Sequence, residues 1–159
     1  MHIPVLLKEV IEILNPKPGE YFIDGTYGSG GHSQAILEKI GSEGRLLGID
    51  WNEKAMAACQ VKKLTGNKQM DCILNNFANL PQIMEMINFP KAHGLLLDLV
   101  ISSEELEESG RGFSFQKDEP LLMTYNDSQK PVREIIKDFS EKELAAVIKN
   151  FGEERLAQK

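Results

Sequence analysis

The sequence has few of the features that mark secreted or membrane-spanning proteins. Its 159 residues include two cysteines and three histidines, and Cys59 and Cys72 have no metal-ligand spacing to each other or to a histidine. We therefore predict neither a disulfide framework nor a zinc site. The N-terminus lacks a signal-peptide pattern, and no apolar run is long enough to cross a bilayer. These absences favour a cytoplasmic location and predict no membrane partner.

An excess of positive charge is also missing. Lys and Arg number 18 against 24 Asp and Glu, which gives a formal net charge of -6. Surfaces that bind nucleic acid normally carry clustered Lys and Arg, so composition alone favours a small-molecule or protein partner. A hydrophobic content of 42% and a charged content of 26% are ordinary for one globular domain with a proper core.

Two apolar patterns alternate along the first hundred residues. Short apolar runs predict buried strands over 20–24, 45–50, 70–75 and 94–98. Apolar positions at helical spacing predict helices over 5–14, 32–40, 53–63 and 80–87. Strands that alternate with helices predict the α/β class, with a doubly wound and mainly parallel sheet.

The residues after Asp98 have a different character. Residues 101–131 contain turn formers and little periodicity, which predicts loop. Ser140 followed by Glu143 is a capping-box pattern, and it predicts a helix that ends near Gly152.

A glycine-rich loop follows the first predicted strand. The loop contains Gly28, Gly30 and Gly31 after Asp24, and Asp50 ends the second predicted strand. Glycines let a backbone turn pass close to a ligand, and a carboxylate at the tip of the second strand can accept hydrogen bonds from both ribose hydroxyls. The layout indicates a site for a nucleoside cofactor.

The spacing of this loop bears on which cofactor it binds. NAD requires G-x-G-x-x-G, but Ser33 stands where the third glycine should be, and Asp24 would repel a pyrophosphate. S-adenosylmethionine carries an ammonium and a sulfonium and has no phosphate. Asp24 therefore favours S-adenosylmethionine, and an NAD-dependent oxidoreductase is the disfavoured alternative.

Two further candidates stand at the carboxyl ends of the third and fourth predicted strands. In doubly wound folds the ligand lies beyond the carboxyl ends of the strands. Phe77 is a candidate to stack on an adenine, with an ordinary core position as the alternative. Asp98 is a candidate to contact the cofactor and to accept a hydrogen bond from a target amine as the catalytic acceptor, with a turn cap as the alternative.

Six motifs in order along nearly the whole chain resemble one known family. They are His2–Leu7, Asp24–Ser33, Gly48–Asp50, Leu96–Leu99 with Ser102 and Ser103, Arg111–Phe115 and Phe151–Arg155. Together they are similar to the small-subunit ribosomal RNA cytosine-N4 methyltransferase family (RsmH/MraW). The resemblance implies a class I, Rossmann-like methyltransferase that uses S-adenosyl-L-methionine to methylate a cytosine amine in the decoding region. It implies these cofactor contacts: Gly30, Gly31, His32, Asp50, Phe77 and Asp98.

The resemblance also implies a division of the chain. Residues 1–115 correspond to the S-adenosylmethionine-binding domain with an incomplete sheet, and 116–159 to a substrate loop and the beginning of a helical insertion. Family members run to roughly twice this length, so we expect either a truncated form or a short divergent member. The implied partner is small-subunit ribosomal RNA or the ribosomal subunit, and an open edge at strand four predicts self-association.

Three departures from the family pattern define the alternative. Val100 replaces a glycine, Glu105 replaces a glutamine, and the segment 120–126 has lost two acids and an arginine. Valine does not easily adopt a positive φ, and an ionised glutamate only accepts hydrogen bonds. The alternative is a degenerate or fragmentary relative that binds S-adenosylmethionine without catalysis.

Overall fold

The computed structural model describes residues 4–101, 103–125 and 127–158. The chain separates into two compact units, Met1–Val100 and Ile101–Lys159. The functional division after Phe115 stays a prediction. The predictions for His2, Ile3, Ser102 and Asn126 fall outside the described residues, as do those for the side chains of Ser103 and Glu105.

The first unit is built on a four-stranded sheet. Its strands are β1 (Tyr21–Asp24), β2 (Arg45–Asp50), β3 (Met70–Leu74) and β4 (Gly94–Leu96). Their order is β3-β2-β1-β4, and every neighbouring pair is parallel. Ile23 in β1 pairs with Leu47 on one side and with Leu95 on the other. The prediction of a parallel α/β sheet is confirmed.

Four helices alternate with these strands. They are α1 (Leu7–Leu14), α2 (Gly31–Ile40), α3 (Glu53–Thr65) and α4 (Leu80–Met86), the last preceded by a 3-10 turn over Phe77–Asn79. The Asn52 side chain caps α3 by accepting hydrogen bonds from the backbone N–H groups of Lys54 and Ala55. Gly41, with φ +65°, follows the last residue of α2.

The core lies on both faces of this sheet. Neighbouring residues of a strand point to opposite faces, so Phe22 and Leu46 pack on one side while Ile23 and Leu47 pack on the other. Ile36 and Ile40 of α2 complete the first cluster. Ile83 of α4 belongs to the second cluster. Burial on both faces explains why the strands read as continuous apolar runs rather than as alternating ones.

The structure corrects the prediction about cysteine. Cys59 of α3 and Cys72 of β3 form a disulfide, and both side chains are buried. The two positions are 13 residues apart in sequence. Spacing alone could not identify the pair, because the pair meets only when α3 packs on β3.

The described residues of the second unit form three helices, α5 (Ser103–Glu108), α6 (Val132–Asp138) and α7 (Glu141–Gly152). The prediction of loop over 101–131 is therefore wrong for the residues of α5. Glutamates favour helix there, although the segment has no apolar periodicity. α6 had no predicted counterpart. The helix predicted from the capping box is confirmed, because Ser140 and Glu143 exchange side-chain to backbone hydrogen bonds. No helix among the described residues is long and apolar enough to cross a membrane.

Candidate functional site

Polar residues gather at the carboxyl edge of the sheet, where three neighbouring parallel strands end. Asp24 is the last residue of β1, Asp50 is the last residue of β2, and Asp98 follows β4 by two residues. β1 lies between β2 and β4, so all three carboxylates belong to one edge. This edge is where doubly wound sheets bind their ligands.

The Asp50 carboxylate is held against the glycine loop. One of its oxygens accepts a hydrogen bond from the Gly28 backbone N–H at 2.7 Å. The other oxygen accepts one from the Asn52 backbone N–H at 2.9 Å. A carboxylate has about four lone-pair sites, so these two bonds leave acceptor capacity for two hydroxyl donors. Asp50 is thus preset as an acceptor at the tip of β2.

The glycines of the loop are required for different physical reasons. Gly28 and Gly30 have φ +53° and +76°, in the left-handed region that favours glycine. A Cβ on Gly28 would meet only the Thr26 carbonyl oxygen at 3.9 Å, so space next to its α-carbon is open. A Cβ on Gly31, the first residue of α2, would lie 2.2 Å from Pro4. Gly31 therefore accommodates the N-terminal segment, and its predicted cofactor contact stays a prediction.

The position of Asp24 does not match the expectation that its carboxylate faces a ligand. Its side chain is 1% exposed, and its carboxylate accepts hydrogen bonds from the Ser33 hydroxyl at 2.6 Å and the Thr26 backbone N–H at 3.2 Å. Burial raises the pKa of Asp24, and these hydrogen bonds only partly oppose the rise. Asp24 thus ties β1 to α2. The negative charge available to a ligand at this edge comes from Asp50 and Asp98.

His32 and Thr26 both approach Asp98. The His32 Nδ1 lies 3.9 Å from an Asp98 carboxylate oxygen, and its Nε2 lies 2.9 Å from the Val5 carbonyl oxygen. The Thr26 hydroxyl oxygen accepts a hydrogen bond from the Asp98 backbone N–H at 2.7 Å. These contacts fix the backbone after β4 to the loop after β1. The Asp98 side chain remains 28% exposed, so one face of its carboxylate is accessible.

Phe77 lies beside the end of β1. It begins the 3-10 turn after β3, and 38% of its side chain is exposed. A Cβ on Gly25 would lie 3.3 Å from the Phe77 Cβ and 2.6 Å from a methyl of Leu97. Gly25 therefore lets both side chains approach the strand end. Phe77 is partly exposed, so one face of its ring is open to a ligand while the rest of the side chain packs on the protein.

Sequence reasoning assigned no role to Gly25 or Thr26, and both shape this edge. Each stands in the segment between β1 and the glycine loop, where the Gly25 N–H donates a hydrogen bond to the Leu96 carbonyl oxygen at 2.9 Å. A glycine and a hydroxyl residue directly after a buried strand are the signals that could have identified them. Among the described residues, no group of three His, Cys, Asp or Glu side chains could hold a metal ion.

The chain is an α/β protein in which a glycine loop after β1 meets a carboxylate at the end of β2. This layout is typical of the nucleoside sites of doubly wound folds. The family model described as the MraW methylase family matches residues 1–159. The chain belongs to this family.

Several known proteins are similar to the chain. It is 41% identical to ribosomal RNA small subunit methyltransferase H of Heliobacterium mobile over 144 residues, which cover 89% of this chain and 46% of that protein. It is also 41% identical to the protein of the same name from Methylobacillus flagellatus, with 89% of this chain and 44% of that protein covered. The chain thus spans about half the length of these curated relatives.

One similar solved structure is Aeropyrum pernix fibrillarin in complex with natively bound S-adenosyl-L-methionine. It aligns with a TM-score of 0.47 at 20% identity and covers 54% of this chain and 36% of that chain.

Proposed function

We propose that this chain binds S-adenosyl-L-methionine and takes part in N4-methylation of a cytosine in the decoding region of small-subunit ribosomal RNA, in the cytoplasm. The observation that carries the cofactor assignment is the Asp50 carboxylate, held 2.7 Å from the Gly28 amide nitrogen at the tip of β2. Its free acceptor capacity suits the two hydroxyls of a ribose.

The residues at the carboxyl edge fit the cofactor's other parts. Phe77, 38% exposed beside Gly25, offers a ring face to an adenine. Asp98, 28% exposed, offers negative charge to a cationic ligand and none of the positive charge that a pyrophosphate requires. The contacts predicted for Gly30, Gly31 and His32 belong to the same proposal.

The transfer step requires alignment more than acid-base chemistry. When bound, the cofactor supplies an electrophilic methyl group on a sulfonium. Asp98 accepts a hydrogen bond from the target amine, which directs the nitrogen lone pair away from the ring and toward the methyl carbon. Thr26 holds the Asp98 backbone at 2.7 Å, so the acceptor is positioned before the substrate arrives. As the bond between the nitrogen and the methyl carbon forms, the sulfur–carbon bond would break and the sulfonium would leave as a neutral thioether. The extra proton on the methylated amine would pass to solvent or to this carboxylate.

The RNA target is supported by the names of the relatives rather than by charge. The curated relatives are called ribosomal RNA small subunit methyltransferase H. The net charge of -6 supplies no general phosphate-binding surface. The cytosine amine and the decoding region rest on the family resemblance of the loop motifs, so the test has to identify the modified nucleoside and its position.

The test is methyl transfer to small ribosomal subunits that lack the modification. Radiolabelled methyl from S-adenosyl-L-methionine is followed into the RNA, which is then digested so that mass spectrometry identifies the nucleoside. We expect N4-methylated cytidine, and we expect Asp98→Ala to lower the rate by at least about 100-fold. Asp98→Asn keeps the size but not the charge, and cofactor affinity measured in both variants separates lost binding from lost transfer. Methylation of another base would contradict the target.

A binding relative without catalysis is the second candidate. Val100 stands where the family has glycine, and the side chain is 68% exposed. Val100 itself is described and does not have a positive φ. The backbone of the loop after β4 therefore has a conformation at this position that valine can adopt. Cofactor binding by the chain together with no transfer to ribosomal RNA would select this candidate over the first.

Self-association through the sheet edge is the remaining part of the proposal. Among the described strands β4 has a partner on one side only, and Leu95 and Leu97 are 45% and 40% exposed. An exposed apolar edge strand favours pairing with a second copy. Sedimentation velocity would detect it as a concentration-dependent dimer, and replacement of Leu95 by Lys would be expected to abolish the dimer. A monomer at all concentrations would contradict it.

A further inference from the structure

The aromatic ring of Tyr27 fills space next to two glycines of the candidate site. Tyr27 is 3% exposed and belongs to the cluster on the α2 side of the sheet. A Cβ on Gly30 would lie 2.4 Å from its Cζ and from its Oη, and a Cβ on Gly48 of β2 would lie 2.9 Å from its Cδ2. The ring is therefore packed between the glycine loop and the strand that ends in Asp50.

The Tyr27 backbone is fixed to the same two elements. Its N–H donates to the Ile49 carbonyl oxygen at 2.9 Å, one residue before Asp50. Its carbonyl oxygen accepts a hydrogen bond from the Gly30 N–H at 2.8 Å. Tyr27 thus connects β2 with the turn that begins α2 through its backbone and its ring. The two parts of the site that must face the same ligand are joined at this residue.

Lys62 of α3 also contacts the glycine loop. Its ammonium donates a hydrogen bond to the Ser29 carbonyl oxygen at 2.8 Å and lies 5.7 Å from the centre of the Tyr27 ring. A cation over an aromatic face is attracted by the negative face of the ring's π-system. Burial raises the pKa of Tyr27 to about 12, so the phenol is neutral at physiological pH.

We infer that Tyr27 and Lys62 are positioning residues of the cofactor loop: the ring and the ammonium fix residues 28–30 relative to Asp50 before the ligand binds. This inference rests on the proposed cofactor site. It assigns to Gly30 and Gly48 a role in making room for the ring, in addition to any approach to a ligand. Neither Tyr27 nor Lys62 acts on the reacting atoms.

The first measurement is hydrogen exchange of the loop amides in the ligand-free chain. Lys62→Met removes the ammonium but keeps a long apolar side chain, and we expect exchange at residues 28–30 to rise about three- to tenfold. Tyr27→Leu is expected to raise it further, while Tyr27→Phe keeps the ring and should match the wild type. Lys68→Met, at an exposed lysine between α3 and β3, is the matched control and should change nothing.

The second measurement is calorimetric binding of S-adenosyl-L-methionine to the same variants, well below their melting temperatures. We expect Lys62→Met to weaken binding about three- to tenfold, with Tyr27→Phe and Lys68→Met unchanged. Unchanged loop exchange in both Lys62→Met and Tyr27→Leu would overturn the inference. If the wild type binds no cofactor, the proposed function fails, while the exchange measurement still decides whether these residues fix the loop.

A compensating pair keeps the inference testable if Tyr27→Leu is poorly folded. Gly48→Ala places a methyl against the ring and is expected to destabilise the wild type. The same change in a Tyr27→Leu background should cost less, because the ring that it meets is gone. Equal destabilisation of the two backgrounds would overturn the packing on which the inference depends.

Discussion

The two compact units bury their apolar side chains to very different extents. Among the described residues, all but one of the buried hydrophobic side chains lie in 1–100, and Ala145 is the exception. In 101–159, Phe115 and Phe151 are 97% and 84% exposed. The parallel sheet of the first unit has two faces against which apolar side chains pack. The helices of the second unit bury few apolar side chains.

This difference indicates which interactions stabilise each unit. A short helix is marginal in water on its own, and it gains most of its stability when an apolar face is buried. α2 buries Ile36, Leu37 and Ile40 against the sheet, whereas Ile148 of α7 remains 46% exposed. The first unit is therefore held together by tertiary packing, and the second depends more on local interactions such as helix caps.

The largest expected effect comes from the core of the first unit. Leu46→Ala removes a side chain that is 0% exposed, and we expect it to lower the free energy of unfolding by about 3 kcal/mol. The matched change in the second unit, Ile148→Ala, should cost less than about 1 kcal/mol because the side chain is half exposed. Chemical denaturation measures both. Equal costs at the two positions would remove the contrast between the units.

The buried carboxyl group of Asp24 predicts a pH dependence that belongs to the first unit. Burial raises its pKa in the folded state above its ordinary value of 3.8, so the folded state holds this proton more tightly than the unfolded state. Stability from this group is therefore present below the ordinary value and is lost as the pH rises through the raised pKa. The Asp24→Asn variant lacks this loss.

Denaturation across a pH series checks that sign. The free energy of unfolding of the wild type minus that of Asp24→Asn should fall as the pH increases from about 4. A difference that grows with pH would mean that the hydrogen bonds from Ser33 and Thr26 outweigh burial, contrary to the account given for this carboxylate.

A smaller effect than that of Leu46→Ala is expected at the cap of α7. Ser140→Ala removes a capping box, and we expect a loss of about 1 kcal/mol confined to the second unit. Hydrogen exchange should show faster exchange in the first turn of α7 and unchanged protection in β1 and β2. Faster exchange that spreads into the sheet would show that the two units unfold together, and the comparison between them would have to be revised.

The parts of the fold that the sequence predicted are those with local signals. Apolar runs of the right length identified the four strands, and the capping box of Ser140 and Glu143 identified the start of α7. The position of Asp50 as the last residue of β2 also agrees with the prediction that it ends the second strand. These features depend on residues close together in sequence or on one recurrent topology.

The parts that the sequence did not predict depend on tertiary packing. The disulfide requires α3 to lie on β3, and the inward orientation of Asp24 requires Ser33 on the following helix. Lys62 reaches Ser29 from an element more than thirty positions later in the chain. α5 was missed for a different reason, since a helix without an apolar stripe has no periodicity to detect.

The most direct test of the central claim is calorimetric titration of the 159-residue chain with S-adenosyl-L-methionine, with Asp50→Ala and Asp50→Asn alongside. Circular dichroism establishes that all three are folded. The account predicts binding by the wild type, a loss of at least about tenfold in Asp50→Ala, and an intermediate affinity in Asp50→Asn, which retains one acceptor oxygen. No binding by the folded wild type, or equal binding by all three, would contradict a cofactor site at the end of β2.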